Sequence, residues 1–128
     1  MIYENRVFLT GIVVHEPILN TINEKTKISN FILKTVNTWI DKKSNSKKFS
    51  VKWHKIICWD LIAEQSLRLC KKGNLVSVVG EISYYQKKNI STINDNTTKN
   101  YPLIEIKAKK LQAARLEKVN YDNESENV

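Results

Sequence analysis

Glycine is scarce in this chain of 128 residues: Gly11, Gly73 and Gly80 are the only three. They stand far apart, so no glycine-rich loop is available to cradle a phosphate group. Cysteine is scarcer still, with Cys58 and Cys70 separated by 12 positions. Together with His15 and His54 they make four conceivable metal ligands, but no CxxC or HxxxH spacing organises them. No metal and no cofactor is expected, and the two thiols are expected to be buried rather than joined. No apolar run approaches the ~20 residues that a bilayer crossing needs. The opening MIYENRVFLTG lacks the basic, apolar and small-residue segments of a secretory signal. These absences predict an intracellular protein with no membrane partner. No carboxylate, nucleophile or oxyanion arrangement stands near His54 at a recognisable spacing, so catalysis is not expected.

What is present is positive charge, unevenly placed. Residues 117–128 hold four acids and one base, so the total of +8 divides into −3 there and +11 on residues 1–116. A basic body suits nucleic acid or an anionic surface, although lysine-rich solvated faces are common in soluble proteins. The hydrophobic content of 41% can support a core, and the length suits one domain. Residues 1–111 are expected to form that domain, and 112–128 a short acidic tail without order.

Residues 5–14 (NRVFLTGIVV) predict a first strand, with Gly11 marking a bulge or tight bend and Glu16-Pro17 closing it. A polar connector over 18–27 leads to a second strand from about Ile28 to Trp39. Residues 40–48 (IDKKSNSKK) have the composition of a mobile hairpin tip. The third strand, Phe49 to Trp59, alternates, with Phe49, Val51 and Trp53 on one face and Ser50, Lys52 and His54 on the other. Asp60 is placed as an N-cap for a helix that ends on Lys71-Lys72, with Gly73 at C′. Strands follow at Asn74–Tyr85 and Tyr101–Leu111, joined by a polar loop over 86–100.

Three strands, a helix and two strands predict an all-β fold with one helix, the OB-fold, a five-stranded Greek-key barrel. Such barrels bind oligonucleotides on strands two and three. Here those strands carry NTWIDKKSNSKKFSVKWHKIICWD, residues 37–60, with all three tryptophans (Trp39, Trp53, Trp59) and six lysines. Aromatic faces among mobile cations suit single-stranded nucleic acid, stacking the bases and neutralising the phosphates. Trp39, Trp53 and Trp59 are the stacking candidates. Lys34, Lys42, Lys43, Lys47, Lys48, Lys52, Lys55, Lys87 and Lys88 are the candidate phosphate contacts.

NRVFLTG, SNFILKT with Trp39 and IDK after it, VKWHKIICW, KKG and VVGEI, in this order, resemble the bacterial and mitochondrial single-stranded DNA-binding protein family over about residues 5–111. The resemblance implies a homo-oligomer, typically a tetramer, that binds and protects single-stranded DNA with little sequence preference in replication, recombination and repair. It also implies a place in the cytoplasm on the nucleoid, or in a mitochondrion or other organelle. It puts the stacking residues on Trp39, Trp53 and Trp59, the last commonly phenylalanine in the family, and sets His54 at a subunit interface. Two departures stand out. Where the family has a further tryptophan after VVGEI, this chain has SYYQKKN, so either Tyr84 or Tyr85 substitutes, with Lys87 near the tryptophan's own position. The chain closes on NESENV rather than the Pro-Phe tip that recruits replication and repair proteins. A primosome-type scaffold of the same fold, bridging replication partners, is the alternative. A cold-shock-like RNA binder is disfavoured because the short aromatic motifs of strands two and three are missing.

Overall fold

In the computed structural model, residues 2–87 and 101–114 are described, with the backbone alone at 86, 87, 101 and 102. Alternating apolar residues build five long strands, β1 (Val7–Thr21), β2 (Lys27–Asp41), β3 (Ser46–Trp59), β4 (Leu75–Lys87) and β5 (Tyr101–Ala113), with one helix, α1 (Asp60–Leu69), between β3 and β4. The strands close into a barrel in the order β1-β2-β3-β5-β4, with β4 returning to β1. All neighbours are antiparallel except β3 and β5, which run parallel over two rungs at Ile56–Ile106 and Ile57–Lys107. This is the OB-fold that the order of elements predicts.

The core follows from the alternation. Val13, Phe31, Leu33, Ile56, Cys58, Val76, Val78, Ile106, Ala108 and Leu111 point inward from all five strands, and Ala63 and Cys70 join them from the helical end. The helix packs against β1, β2, β3 and β5. Its one buried polar group, Ser66, is satisfied at both lone pair and proton: the hydroxyls of Ser29 and Ser66 lie 2.7 Å apart, and Ser66 Oγ donates to the Ala63 carbonyl at 2.6 Å. Cys58 and Cys70 are free and fully buried, and burial pushes both thiols up to about 12, which keeps them protonated and inert at neutral pH.

Several boundaries differ from the sequence reading, each for a local reason. Pro17 does not close β1, which runs on to Thr21. The pairing with β2 shifts register between Val13 and His15 and again between His15 and Ile18, so the proline falls in a bulged stretch. A residue without an N–H is tolerated there. No shift occurs at Gly11; its role is close approach, since a Cβ there would lie 2.1 Å from the Lys34 carbonyl oxygen. Gly80 does stand at a register shift, after Val79 in the β4–β5 ladder.

Asp60 is not the N-cap. Trp59 takes that position without a side-chain bond, and Asp60 is the first helical residue, at φ 51. Its Oδ1 accepts from the Lys27 N–H at 3.1 Å, tying the helix to the start of β2. Gly73 is not C′ either. The helix ends at Leu69 with Cys70 as C-cap, and Gly73, at φ +90, donates its N–H to the Val13 carbonyl in the turn into β4. The 40–48 loop shrinks to a four-residue turn, because Ile40 pairs with Lys47 and Asp41 with Ser46. Asp41 braces that turn: its carbonyl accepts from Asn45 N–H at 2.7 Å, and its carboxylate accepts from Lys43 N–H and Ser44 Oγ, each at 3.1 Å. Strand β5 likewise runs past Leu111 to Ala113. Residues 88–100, and the tail beyond 114, lie outside the described residues.

Candidate nucleic-acid interface

Fourteen rungs join β2 to β3, from Ile28–Trp59 at the helix to Asp41–Ser46 at the turn. Only the first part of this ladder is wrapped by the barrel. Inward positions Phe31, Leu33, Ile56 and Cys58 are buried, whereas nearly all side chains from Val36 to Ser50 are exposed or half-exposed. The ribbon therefore projects as an arm with two solvent faces.

Side chains on paired residues share a face, and successive residues alternate. One face, which we call outer, carries Lys34, Val36, Thr38 and Ile40 opposite Trp53, Val51, Phe49 and Lys47. The other, continuing the barrel's inner side, carries Thr35, Asn37, Trp39 and Asp41 opposite Lys52, Ser50, Lys48 and Ser46. Trp53 and Trp39 thus stand on opposite faces of the arm, 64% and 46% exposed. Each lies directly across from a lysine, Trp53 from Lys34 and Trp39 from Lys48. Trp59 is half-buried at the foot of the arm, opposite Ile28 and beside the helix start. It presents less face than the other two.

The candidate lysines divide in the same way. Lys34, Lys47 and Lys55 belong to the outer face, Lys48 and Lys52 to the inner, and Lys42 and Lys43 to the turn. Lys55 is already engaged: its Nζ lies 4.5 Å from the centre of the Tyr85 ring, 3.4 Å from the Tyr85 hydroxyl and 3.8 Å from the Glu105 carboxylate. The same contacts separate the two tyrosines. Tyr85 is half-buried under Lys55, while Tyr84 is 66% exposed and paired across the strands with exposed Ile104. Of the two, Tyr84 offers an open ring. The side chain of Lys87, and Lys88 altogether, lie outside the described residues.

Glu105 is 8% exposed, and burial pushes its carboxyl above the ordinary 4.5, with Lys55 partly offsetting the shift. Its ionisation therefore costs the folded state stability as pH rises from about 4.5 through the raised value. A Glu105→Gln variant escapes that cost. Its melting temperature relative to the parent protein is expected to climb across this window, and melting curves from pH 4 to pH 7 check it. A flat difference would place the buried penalty elsewhere.

His54 faces the barrel end opposite Leu33, with Nε2 2.8 Å from Thr35 Oγ1. Burial first, and the Lys52 charge second, hold its imidazole below the ordinary 6.5, so it is neutral in the fold. Among the described residues no three His, Cys, Asp or Glu gather as a metal site, and no helix is long and apolar enough to cross a membrane.

Sequence reasoning did not single out Phe49, which is 68% exposed on the face of Trp53. The alternation of Phe49, Val51 and Trp53 was visible in the chain. Which side of the strand would meet solvent was not.

This arm on this barrel can be set beside known proteins. The chain is similar to a Plasmodium falciparum SSB solved in complex with ssDNA, at 24% identity and a TM-score of 0.76, covering 90% of this chain and 98% of that one. It is also similar to the single-stranded DNA-binding protein of Thermus aquaticus, in a deletion mutant, at 20% identity and a TM-score of 0.71, covering 88% of this chain and 51% of that one. At such identities the two structures establish the shared fold. Residues 4–113, a span that contains every strand of the barrel, match the model of the Single-strand binding protein family, and the chain belongs to that family.

Proposed function

We propose that this protein holds and protects single-stranded DNA irrespective of sequence, with the β2–β3 arm as its principal contact. Binding of single-stranded DNA comes with the family, which is one of DNA binders rather than enzymes. The observation that carries the finer reading is the placement of Trp39 and Trp53. Two large aromatic rings stand in solvent, each directly across from a lysine, on a ribbon that projects from the barrel. Keeping such rings exposed forfeits burial that would stabilise the monomer, and stacking on bases recovers it. Every base has a π-face, so this contact discriminates little among sequences. Trp59 and Tyr84 supplement the two at the foot of the arm and on the neighbouring hairpin. Lys34, Lys42, Lys43, Lys47, Lys48 and Lys52 receive phosphates, with Lys87 and Lys88 as further candidates.

Assembly, setting and partners complete the proposal. The protein works as a homo-oligomer, a tetramer, with neutral His54 at a contact between copies. It serves replication, recombination and repair in the cytoplasm on the nucleoid, or in an organelle, and contacts other proteins of those processes. The scaffold alternative is not favoured, because the family match reaches across the whole barrel.

Titration of tryptophan fluorescence with dT oligomers of increasing length, at two salt concentrations and alongside a solution mass, tests this reading. Strong quenching and a tetramer mass are expected. Each lysine that displaces a counterion contributes about 0.7 to the slope of log K against log salt for a single strand. Lys48→Ala is accordingly expected to lower that slope by about 0.7 while leaving dT and dC bound alike. Emission unchanged at saturating dT would sink the proposal.

A further inference from the structure

The outer face of the arm carries more apolar surface than Trp53 alone accounts for. Along β3, Trp53, Val51 and Phe49 follow one another on this face, and Val36 stands directly opposite Val51. Phe49 is more exposed than either tryptophan. Two exposed aromatic rings, with half-buried Val51 between them and exposed Val36 across from it, form a strip rather than a scattered hydrophobe, and such strips mark binding surfaces. The strip is edged by cations. Lys34 lies across from Trp53, and Lys47 lies one step beyond Phe49 across from Ile40. From Ile28 to Trp59 this face holds no carboxylate; Asp41 belongs to the other face and is bound into the turn.

We propose that Phe49 is a further base-stacking platform, and that Trp53, Val51 and Phe49 together receive three successive bases of a single strand. The inference rests on the proposed binding of DNA by the arm, and adds to it a residue and a direction, from the barrel outward to the turn. The spacing supports it. Same-face neighbours on a strand are about 6.7 Å apart, roughly twice the 3.4 Å rise of bases stacked in a helix. A chain stretched to that spacing has its bases unstacked, and each can then meet one side chain. Rings at the two ends cover the outer bases, and the Val36–Val51 pair supports the middle one by apolar contact. Cations at both ends and the absence of acids favour a polyanion over an acidic or purely apolar partner.

Phe49 lies outside the core, so its replacement leaves the barrel intact, which a melting curve verifies. Phe49→Ala is expected to weaken binding of a long dT oligomer by about 5- to 100-fold, the range for loss of one stacking residue. The dependence on salt should not change, because no charge is removed. Phe49→Leu, which keeps apolar bulk without a ring, should lose as much as Phe49→Ala. Phe49→Trp should restore binding and add fluorescence that DNA quenches. Parent-level affinity in Phe49→Ala or Phe49→Leu would overturn the assignment of Phe49, while leaving the wider reading of the arm in place if Trp53→Ala still weakens binding. A changed assembly mass in Phe49→Ala with unchanged DNA affinity would make the strip a contact between copies and overturn the proposal. Failure of the parent protein to bind dT would remove the wider reading and this one with it.

Discussion

The double variant Trp39→Ala/Trp53→Ala is expected to bind a long dT oligomer about 30- to 10,000-fold more weakly than the parent protein, with its melting temperature nearly unchanged. Each stacked base contributes roughly 1–3 kcal/mol, and the two contributions should add. Trp39 pairs with Lys48, which is five residues from Trp53 along β3, a separation of about 17 Å along the arm. Sites more than about 7–10 Å apart that share no partner combine to within a few tenths of a kcal/mol. The opposite faces of the two rings strengthen the case for independence. Fluorescence is lost with the tryptophans, so affinity is read by anisotropy of labelled DNA. If either single variant costs as much as the double, the two rings grip the strand as one unit, and the picture of an arm engaged on both faces fails. Collapse of the melting transition would instead show that one of the rings is structural.

A second large effect is expected from a single methyl group. Gly11→Ala should destabilise the barrel by about 3 kcal/mol, the upper end of the usual cost of overpacking. The added Cβ would lie 2.1 Å from the Lys34 carbonyl oxygen and 3.1 Å from the Thr35 methyl. The nearer atom belongs to β2 backbone, held in ladders on both sides, so it cannot swing aside as a side-chain tip would. At this size of domain, that loss lowers the melting temperature by about 10 °C. Gly73→Ala is the informative comparison. A Cβ there meets nothing within 4 Å, but φ is +90, so its cost comes from backbone conformation alone, about 1–2 kcal/mol. Equal melting temperatures for the two alanine variants would refute close approach as the reason for Gly11.

Much of this architecture was legible in the chain because strand and helix periods differ. Val76 and Val78 around β4, Ile106 and Ala108 on β5, and Phe31 and Leu33 on β2 all lie inside, as alternation implies. Boundaries were less legible, since they depend on partners distant in sequence. Pro17 looks like a stop until the bulged pairing with β2 shows that no N–H is needed there. Asp60 has the residue type of an N-cap, yet its carboxylate turns to Lys27, thirty-three residues away. Lys55 looks like any other lysine of the arm, but β5 brings Glu105 to it and β4 brings Tyr85. Tyr84 and Tyr85 are indistinguishable by type, and only the pairing of β4 with β5, which in turn lies beside β3, gives one of them to solvent and the other to Lys55.

Sequence by itself determined the class of fold, the concentration of tryptophan and lysine on two adjacent strands, and the nucleic-acid chemistry those residues suit. These are properties of composition and short-range period, which need no knowledge of what lies across a strand. Tertiary structure alone decided which side chains of β2 share a face with which of β3, and which of those faces meets solvent. A one-residue change in the β2–β3 register would exchange every partner of the arm, and that register is set by the burial of Phe31 and Leu33 against Ile56 and Cys58 at its foot. The same register sends Trp39 to one face and Trp53 to the other, and sets Val36 across from Val51 on a strip whose exposure to solvent the linear chain does not reveal.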